Sequence, residues 1–309
     1  MNFSIVIPTY NAQKFLPPLL KILSDDRLKD KVFFIDSTSS DGTVETLAEA
    51  GFKNITIIDS AVFDHGGTRS LAKDLTDREI VVFLTQDALP TSADDIITLV
   101  NVFENNKISA AYGKQIPYDS TSLFGTHLRY FNYTDTPYIR CIDDIAKFGI
   151  KTAFMSNSFA AYRRSAMEGI NWFEENLLFG EDAHATARLL KKGDCVAYEP
   201  SAKVYHSHSY TLLEDFKRYF DVGVFHQMES WLIDEFGKPK GEGMKYIKSE
   251  FNFILKQRKL YLIPEFFVRN GLKFLAYKLG NNHHKLPKNI VLMFSMHKRW
   301  WLKNNVISK

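Results

Sequence analysis

Short apolar runs alternate with helix-like patterns over the first 115 residues of the chain. The runs cover residues 3–7, 32–35, 55–58, 80–84 and 110–113, and most are rich in β-branched and aromatic side chains. Between the first two runs, Phe15, Leu19, Ile22 and Leu23 recur at the spacing of one helix face. This alternation of strands and helices predicts a mostly parallel sheet with right-handed crossover connections.

The regular alternation ends near residue 118. Aromatic and polar residues mix from residue 118 to residue 150, which predicts a long functional loop or lid. Further strands are predicted at 158–162 and 202–205, with a helix that begins at Glu181, and helical patterns fill the chain beyond Leu212. We therefore expect an α/β domain at 1–210, followed by a helical region at 211–309.

Charge is distributed unevenly along the chain. Its net charge is +3, yet residues 238–309 contain 16 Lys and Arg residues and three Glu residues, a formal charge of +13. A basic region with interleaved aromatic residues predicts an anionic surface as partner, and the apolar residues favour a membrane over nucleic acid. The alternative is a helical subdomain or a homo-oligomer interface whose polar face is basic. Aromatic residues interleaved with the cations of the C-terminal helical region include Trp231, Phe251, Phe253, Tyr261, Phe266, Phe267, Phe274, Tyr277, Trp300 and Trp301.

Three negative features bear on the compartment. No apolar run reaches the roughly 20 residues that cross a bilayer. No basic leader precedes the first predicted strand. Cys141 and Cys195 lack the spacing of a metal site, so we expect two reduced thiols in the core. Together these features predict a cytoplasmic protein that is peripheral at the inner face of the plasma membrane.

Polar residues stand where the predicted strands end. Thr9 follows the first strand, Asp36 the second, Asp64 and His65 the third, and Asp87 the fourth. Because parallel strands end at one edge of a sheet, we expect these side chains to share a ligand site. Each of them alone is equally typical of a turn or a helix cap.

The glycine pattern excludes two common nucleotide sites. No G-x-G-x-x-G motif follows the first strand, and no glycine-rich loop ends in Lys-Ser or Lys-Thr. Carboxylates at strand ends instead suit a nucleotide whose base and ribose are hydrogen-bonded and whose diphosphate binds a divalent cation.

Several short motifs carry a resemblance to a known enzyme family. The first comprises residues 4–11 (SIVIPTYN), with Asp36 and residues 39–43 (SSDGT). The others are 63–69 (FDHGGTR), 83–88 (FLTQDA), 112–117 (YGKQIP), 218–223 (RYFDVG), 279–280, 286–287 and 295–297 (SMH). Together they resemble family 2 of the inverting nucleotide-sugar glycosyltransferases, and the later ones its bacterial rhamnosyltransferase branch. The resemblance implies the GT-A fold, a Rossmann-like nucleotide-binding domain, here with a C-terminal helical extension.

The resemblance and the strand-end chemistry together define a predicted donor site. Thr9 and Asp36 would contact the base and the ribose. Arg69 is expected to pair with a donor phosphate, Asp36 or Asp87, or to form a structural salt bridge. The glycines beside His65 would let the backbone approach a ligand. The predicted nucleotide-sugar-binding residues are Pro8, Thr9, Tyr10, Asp36, Ser39, Asp64, His65, Gly66, Arg69, Gln86 and Asp87.

A metal site is implied at Asp87. The resemblance places this residue at the last position of the family's Asp-x-Asp motif, where Mg²⁺ or Mn²⁺ bridges the donor diphosphate. Thr85 replaces the first aspartate, so one carboxylate would need help from other ligands. His206 is the predicted helper, with a capping role as its alternative, and His208 is the weaker candidate.

The general base of an inverting transfer is assigned by family position to Asp182, with Glu181 in support. The alternative is that both acids stabilise a helix N-terminus. A glycosidase that uses two carboxylates is the rival chemistry, but the polar residues at the strand ends favour a nucleotide.

The sequence thus predicts an inverting rhamnosyltransferase that moves L-rhamnose from dTDP-L-rhamnose to a hydroxyl of a lipid-linked surface-polysaccharide intermediate, O-antigen or capsule. The sugar rests on the resemblance alone. A nucleotidyltransferase that makes sugar nucleotides and a non-catalytic polysaccharide- or membrane-binding protein are the alternatives. The first of these lacks its Gly/Arg/Lys-rich first loop here.

Overall fold

The computed structural model describes residues 1–237 and 241–304. Within them nine strands form one sheet. The strands are β1 Phe3–Thr9, β2 Val32–Asp36, β3 Ile55–Ile57, β4 Ile80–Leu84, β5 Leu89–Pro90, β6 Ile108–Ile116, β7 Tyr138–Arg140, β8 Phe159–Arg163 and β9 Cys195–Tyr205. The helices of the first 210 residues are α1 Leu16–Leu23, α2 Thr43–Glu49, α3 His65–Ser70, α4 Ala72–Leu75, α5 Ala93–Asn101, α6 Leu123–Asn132, α7 Ile145–Phe148, α8 Arg164–Gly169 and α9 Glu181–Lys191. The remaining helices are α10 Leu212–Met228, α11 Ser230–Phe236, α12 Glu242–Lys256, α13 Ile263–Asn281, α14 Lys288–Phe294 and α15 Lys298–Lys303.

The sheet confirms the α/β class and adds a strand of opposite direction. The strand order is β3-β2-β1-β4-β8-β6-β9-β5, and β7 pairs with β9. Strands β3, β2, β1 and β4 are parallel, but β8 is antiparallel to both β4 and β6. Because β8 reverses the direction twice, β6 and the parallel β9 again run the same way as β4. The carboxyl ends of six strands, β3, β2, β1, β4, β6 and β9, therefore face one edge, and so does the start of β8.

The core lies on both faces of the sheet, where the strands carry continuous apolar runs. Strand β4 is buried along its whole length, as expected for a strand covered on both faces. The helical region contacts this body through two further apolar clusters, one around Phe220 and Trp301 and one around Phe124 and Ile254. Helices α10 and α13 cross closely, since a Cβ on Gly280 would lie 1.9 Å from the carbonyl oxygen of Phe220.

Two expectations about local structure are corrected. The segment 118–150 contains the ten-residue helix α6, capped by Ser122, so it is not a long structureless lid. The two cysteines are not separate thiols, because Cys141 and Cys195 form a disulfide. Strand β7 pairs with β9 so that Arg140 lies opposite Val196. This register places the next residue, Cys141, opposite Cys195, with 4.4 Å between their Cα atoms.

The described helices include none with the length and apolar character needed to cross a bilayer.

Candidate active site

A cleft of about 690 Å³ opens at the edge of the sheet where the parallel strands end. The body of the protein contributes His65, Arg69, Asp87, Glu181 and Asp182 to its lining. The opposite wall comes from helices α10 and α13 and from the segment between α14 and α15. That wall contributes Arg218, Tyr219, His226, Lys273 and His297. Acids that are far apart in the sequence thus meet in one cleft, facing a wall that carries cations.

A second cavity of about 290 Å³ adjoins the cleft and shares His65, Arg69 and Thr85 with it. Pro8, Thr9, Tyr10 and Gln86 line it, as the predicted donor site requires. The Gln86 side chain fixes the end of β1, because it accepts a hydrogen bond from the Tyr10 N–H at 2.8 Å and donates one to the Tyr10 carbonyl at 3.1 Å.

Asp36 and Ser39 lie beneath this cavity and do not line it. The Asp36 carboxylate is completely buried. It accepts hydrogen bonds from the hydroxyls of Thr9 (2.8 Å) and Ser39 (2.6 Å) and from the Ser39 N–H (2.7 Å). This position gives Asp36 a role in holding the cavity floor, and its predicted contact with the donor stays a prediction.

Asp64 and Gly66 have structural explanations in the structure. The Asp64 carboxylate caps α3 by accepting from the Gly67 N–H at 2.5 Å, and it also accepts from the Asn176 N–H at 3.1 Å. A Cβ on Gly66 would lie 1.9 Å from the carbonyl oxygen of Glu174. The close approach that requires glycine at residue 66 is therefore made with this chain's own backbone, and the expected approach to a ligand stays a prediction.

Asp87, His206 and His208 form a cluster at the ends of β4 and β9. The Asp87 carboxylate lies 3.5 Å from Nε2 of His206 and 3.8 Å from Nε2 of His208. Nδ1 of His206 is hydrogen-bonded to Oε1 of Gln115 at 3.0 Å, which orients the ring. Burial opposes ionisation of Asp87, but the hydrogen bond and charge of His206 outweigh it and hold the pKa of Asp87 far below its usual range.

One ligand atom from each of these three residues lies within 4.8 Å of the others, a spacing that fits a metal ion. The sequence ranked His208 low, and the structure includes it. A His-x-His pair immediately after a predicted strand was the available signal, because alternate residues of an extended chain point to the same side. A carboxylate with two imidazoles suits Mn²⁺ better than Mg²⁺, which prefers oxygen ligands.

Glu181 and Arg69 form a buried ion pair at the inner end of the cleft, 3.1 Å apart. Nδ2 of Asn157 also donates to Glu181 at 3.1 Å. Burial would raise the pKa of Glu181, but Arg69 and its other neighbours lower it, so the residue carries a negative charge. Arg69 therefore pairs with neither Asp36 nor Asp87 in this structure.

Asp182 is the second residue of α9 and directly follows this charged glutamate. Its carboxylate accepts hydrogen bonds from the N–H groups of Asn157 (3.2 Å) and Ala183 (2.7 Å). Burial and the negative charge of Glu181 raise the pKa of Asp182 to about 7. Two adjacent carboxylates thus have opposite pKa shifts, which is the arrangement that assigns an acid–base role to one of them. Asn157, which sequence reasoning missed, contacts both and precedes the start of β8.

Comparison with known proteins identifies the family. The family model "Glycosyl transferase family 2" matches residues 4–170, which include β1, the Asp87 loop and β8. The chain belongs to glycosyl transferase family 2. Its sequence is 43% identical over 310 residues to the O-antigen chain rhamnosyltransferase RfbN of Salmonella typhimurium, covering 99% of this chain and 97% of that protein. It is 38% identical over 308 residues to the O-antigen chain rhamnosyltransferase WbaN of Salmonella anatum, with 99% and 96% covered.

Solved structures of similar fold extend the comparison to distant sequences. The mannosyltransferase PcManGT from Pyrobaculum calidifontis, in complex with GDP-Man and Mn²⁺, matches this family 2 glycosyltransferase with a TM-score of 0.62 at 15% identity, covering 92% of this chain and 88% of that one. S. aureus TarS 1-349 in complex with UDP-GlcNAc matches with a TM-score of 0.54 at 16% identity and 92% coverage of both chains. These likenesses confirm the fold that the motifs implied.

Proposed function

We propose that this family 2 glycosyltransferase is an inverting rhamnosyltransferase that moves L-rhamnose from dTDP-L-rhamnose to a hydroxyl of a lipid-linked O-antigen intermediate. The observation that carries the proposal is the cleft in which Asp182, with its raised pKa, shares one volume with the Asp87 cluster. The two O-antigen chain rhamnosyltransferases that match this chain over almost its full length support the sugar and the acceptor class.

In the proposed reaction, Asp182 removes the proton from the acceptor hydroxyl while the hydroxyl oxygen forms a bond to the anomeric carbon of the donor sugar. The bond from that carbon to the diphosphate breaks on the opposite face, and the nucleoside diphosphate leaves with the electron pair. Glu181 stays charged, held by Arg69 and Asn157, and supports Asp182 by raising its pKa. A base with a pKa near the working pH is the most effective in this role.

Asp87, His206 and His208 are the residues that would hold a divalent cation, and we propose Mn²⁺. When bound, the cation would supply charge neutralisation for the diphosphate. The remaining predicted donor residues act around it in our proposal: Pro8, Thr9, Tyr10 and Gln86 line the nucleotide cavity, Asp36 and Ser39 support its floor, and Asp64, His65 and Gly66 shape the entry to α3.

The experiment that tests the function is a transfer assay with the full chain, Mn²⁺ and a panel of sugar nucleotides. We expect turnover with dTDP-L-rhamnose on a lipid-linked glycan acceptor, and a product linkage of inverted anomeric configuration by NMR. Transfer from another sugar nucleotide alone would contradict the sugar, and retention of configuration would contradict the role of Asp182. A reaction that joins a nucleotide to a sugar phosphate would favour the nucleotidyltransferase alternative.

We also propose that the helical region, residues 211–309, binds the anionic surface of a membrane. Helix α13 supports this because its amphipathicity is inverted. Its inward face carries Arg269 and Lys273, which are 5% and 7% exposed, whereas Phe267 and Phe274 on its outward face are 63% and 66% exposed. A helix of a globular protein normally places its apolar side inward.

The surroundings of this outward face have the charge that anionic lipid would attract. The connection from α12 to α13 exposes Lys256, Arg258 and Lys259 beside the exposed side chains of Leu260 and Tyr261. Apolar side chains with flanking cations fit a bilayer interface rich in anionic lipid. Only part of the aromatic residues of this region can contact a membrane, because Phe266 and Trp301 are buried in the protein.

Flotation with vesicles of phosphatidylglycerol and phosphatidylcholine tests this surface. We expect the double substitution of Phe267 and Phe274 by Ser to abolish flotation. Ile57→Ser, at an equally exposed apolar position on edge strand β3, is the control and should float like the wild type. Equal flotation of the double variant would overturn the proposal, and so would a concentration-dependent dimer that the double substitution dissociates.

This proposal places the enzyme at the cytoplasmic face of the membrane, where a disulfide is rare. The Cys141–Cys195 disulfide therefore bears on this compartment, and its presence in the cell can be measured. Alkylation of the protein in intact cells, followed by mass spectrometry, measures this. A fully protected pair would contradict the compartment and leave the glycosyltransferase assignment unaffected.

A further inference from the structure

Arg299 of the last described helix, α15, lines the same cavity as Pro8, Thr9 and Tyr10 at the end of β1. It comes from the C-terminal region, far in sequence from the rest of that cavity. We propose that Arg299 is a donor-binding residue that contacts the nucleoside diphosphate, so that the basic C-terminal region completes the donor site as well as facing the membrane. This inference rests on the proposed function, since it takes the cavity to be the donor site.

The segment that carries Arg299 is held in place by contacts on both of its sides. Trp301 is completely buried in the cluster with Phe220. Nε1 of Trp300 donates to the Asn176 carbonyl at 2.8 Å, and Nζ of Lys303 donates to the Val62 carbonyl at 3.4 Å. The body therefore binds α15 directly, which holds the backbone of Arg299 beside the cavity.

Its neighbour His297 strengthens the attachment. The His297 ring stacks on Phe179 with an interplanar angle of 12° and meets the edge of the His65 ring, with 6.1 Å between the ring centroids in both cases. The N–H of Met296 donates to Asp221 at 2.8 Å. Through His65, which lines both the cleft and the donor cavity, the C-terminal segment reaches the wall that the two share.

The charges around the cavity leave Arg299 available for an anionic ligand. Arg69, the other guanidinium in the lining, is already paired with Glu181. Across residues 1–237 and 241–304, no Asp or Glu side chain forms an ion pair with Arg299, and its side chain is exposed to solvent. The adjoining cavity adds the cations Lys298 and Lys303 to the rim, together with one acid, Asp64. A planar guanidinium suits both phosphate oxygens and the face of a base.

Calorimetric titration of the full chain with dTDP in the presence of Mn²⁺ tests the inference. We expect Arg299→Ala to raise the Kd for dTDP about tenfold, the size of one charge-assisted hydrogen bond. Arg299→Lys keeps the positive charge but lacks the planar guanidinium, so its Kd for dTDP should lie between those of the wild type and Arg299→Ala. Lys288→Ala, an exposed cation at the start of α14 that lines neither cavity, is the matched control and should bind like the wild type.

Thymidine, which lacks the diphosphate, locates the contact. If Arg299→Ala weakens the binding of dTDP but not of thymidine, Arg299 contacts the diphosphate. If the affinity for thymidine falls by the same factor, Arg299 contacts the nucleoside. A Kd for dTDP that is the same in the wild type and Arg299→Ala overturns the inference and leaves the proposed function standing. A wild-type protein that binds no nucleoside diphosphate in a panel of dTDP, UDP and GDP overturns both. Matching thermal unfolding midpoints confirm that the variants are folded.

Discussion

The two walls of the cleft differ in origin and in charge. The wall built by the body carries the acids Asp87, Glu181 and Asp182 along with two arginines, whereas the wall built by the C-terminal helices carries Arg218, Lys273 and one acid, Asp215. The same contrast holds for the whole chain, since the formal charge is −10 over residues 1–237 and +13 over residues 238–309. We infer that the body supplies the reacting groups and that the helical region supplies the cations that anionic ligands require.

The helices of the two regions also bury different kinds of side chain. Helix α5 of the body follows the ordinary pattern, with Ile96 and Leu99 buried and Asp94 exposed. Helix α13 reverses it and buries Arg269, whose guanidinium is paired with Asp215 and Glu265. Helix α13 therefore depends on buried ion pairs, whose loss is costly, in addition to the apolar clusters that attach the helical region to the body.

The largest effect should come from the body wall. Asp182→Asn keeps the size of the side chain but cannot remove the proton from the hydroxyl of the acceptor. We expect transfer to fall about 10²–10⁴-fold, with dTDP affinity unchanged. Steady-state kinetics and calorimetry measure the two quantities. Asp77→Asn, an exposed acid just before β4 at the opposite edge of the sheet, is the control and should be fully active. Retained turnover in Asp182→Asn would remove the assignment of the base.

The buried ion pairs of the helical wall should matter for stability. Arg269→Ala leaves Asp215 buried with only Lys273 nearby, at 3.6 Å. We expect the free energy of unfolding to fall by about 3–5 kcal/mol. Chemical denaturation measures it, with Lys256→Ala as the control because that lysine is exposed. A change below about 0.5 kcal/mol, as is usual at a surface position, would show that α13 does not depend on its inward charges.

The metal cluster of the body wall gives the next effect. Asp87→Ala removes the only carboxylate among the three neighbouring ligands. We expect Mn²⁺ binding to be lost and transfer to fall about 10²-fold, and the wild type should lose activity in EDTA and regain it with Mn²⁺. His284→Ala, an exposed histidine outside the cluster, should behave as the wild type. Full activity in EDTA would contradict the metal site, whatever the effect of Asp87→Ala.

These predictions depend on placements that the sequence supplied only in part. Apolar runs were enough to predict the sheet, and the strand-end pattern predicted the place of Asp87, whereas Asp182 came from the resemblance to the family. The antiparallel strand β8 was missed as a neighbour of β4, because a buried run such as residues 158–162 has no direction in its pattern. The partner of Arg69 was also beyond the sequence, since several acids end at the same edge and only packing selects Glu181. The disulfide was also beyond the sequence, because the pairing of the two cysteines follows from the register of β7 on β9.

The smallest effect should appear in the pH dependence, where the body wall can be tuned without removing its base. Burial and the charge of Glu181 raise the pKa of Asp182 to about 7, and the base works only when deprotonated. Transfer in the wild type should therefore fall about tenfold for each pH unit below 7 and level off above it. Glu181→Gln removes a negative neighbour and leaves the positive charge of Arg69 unpaired, and both changes favour the ionised form of Asp182. The acid limb of the profile of kcat against pH should therefore shift to lower pH in Glu181→Gln. The pKa of Asp182 should still stay above its ordinary value, because burial is the larger cause of the raised pKa. A shift to higher pH would show that the limb reports another group.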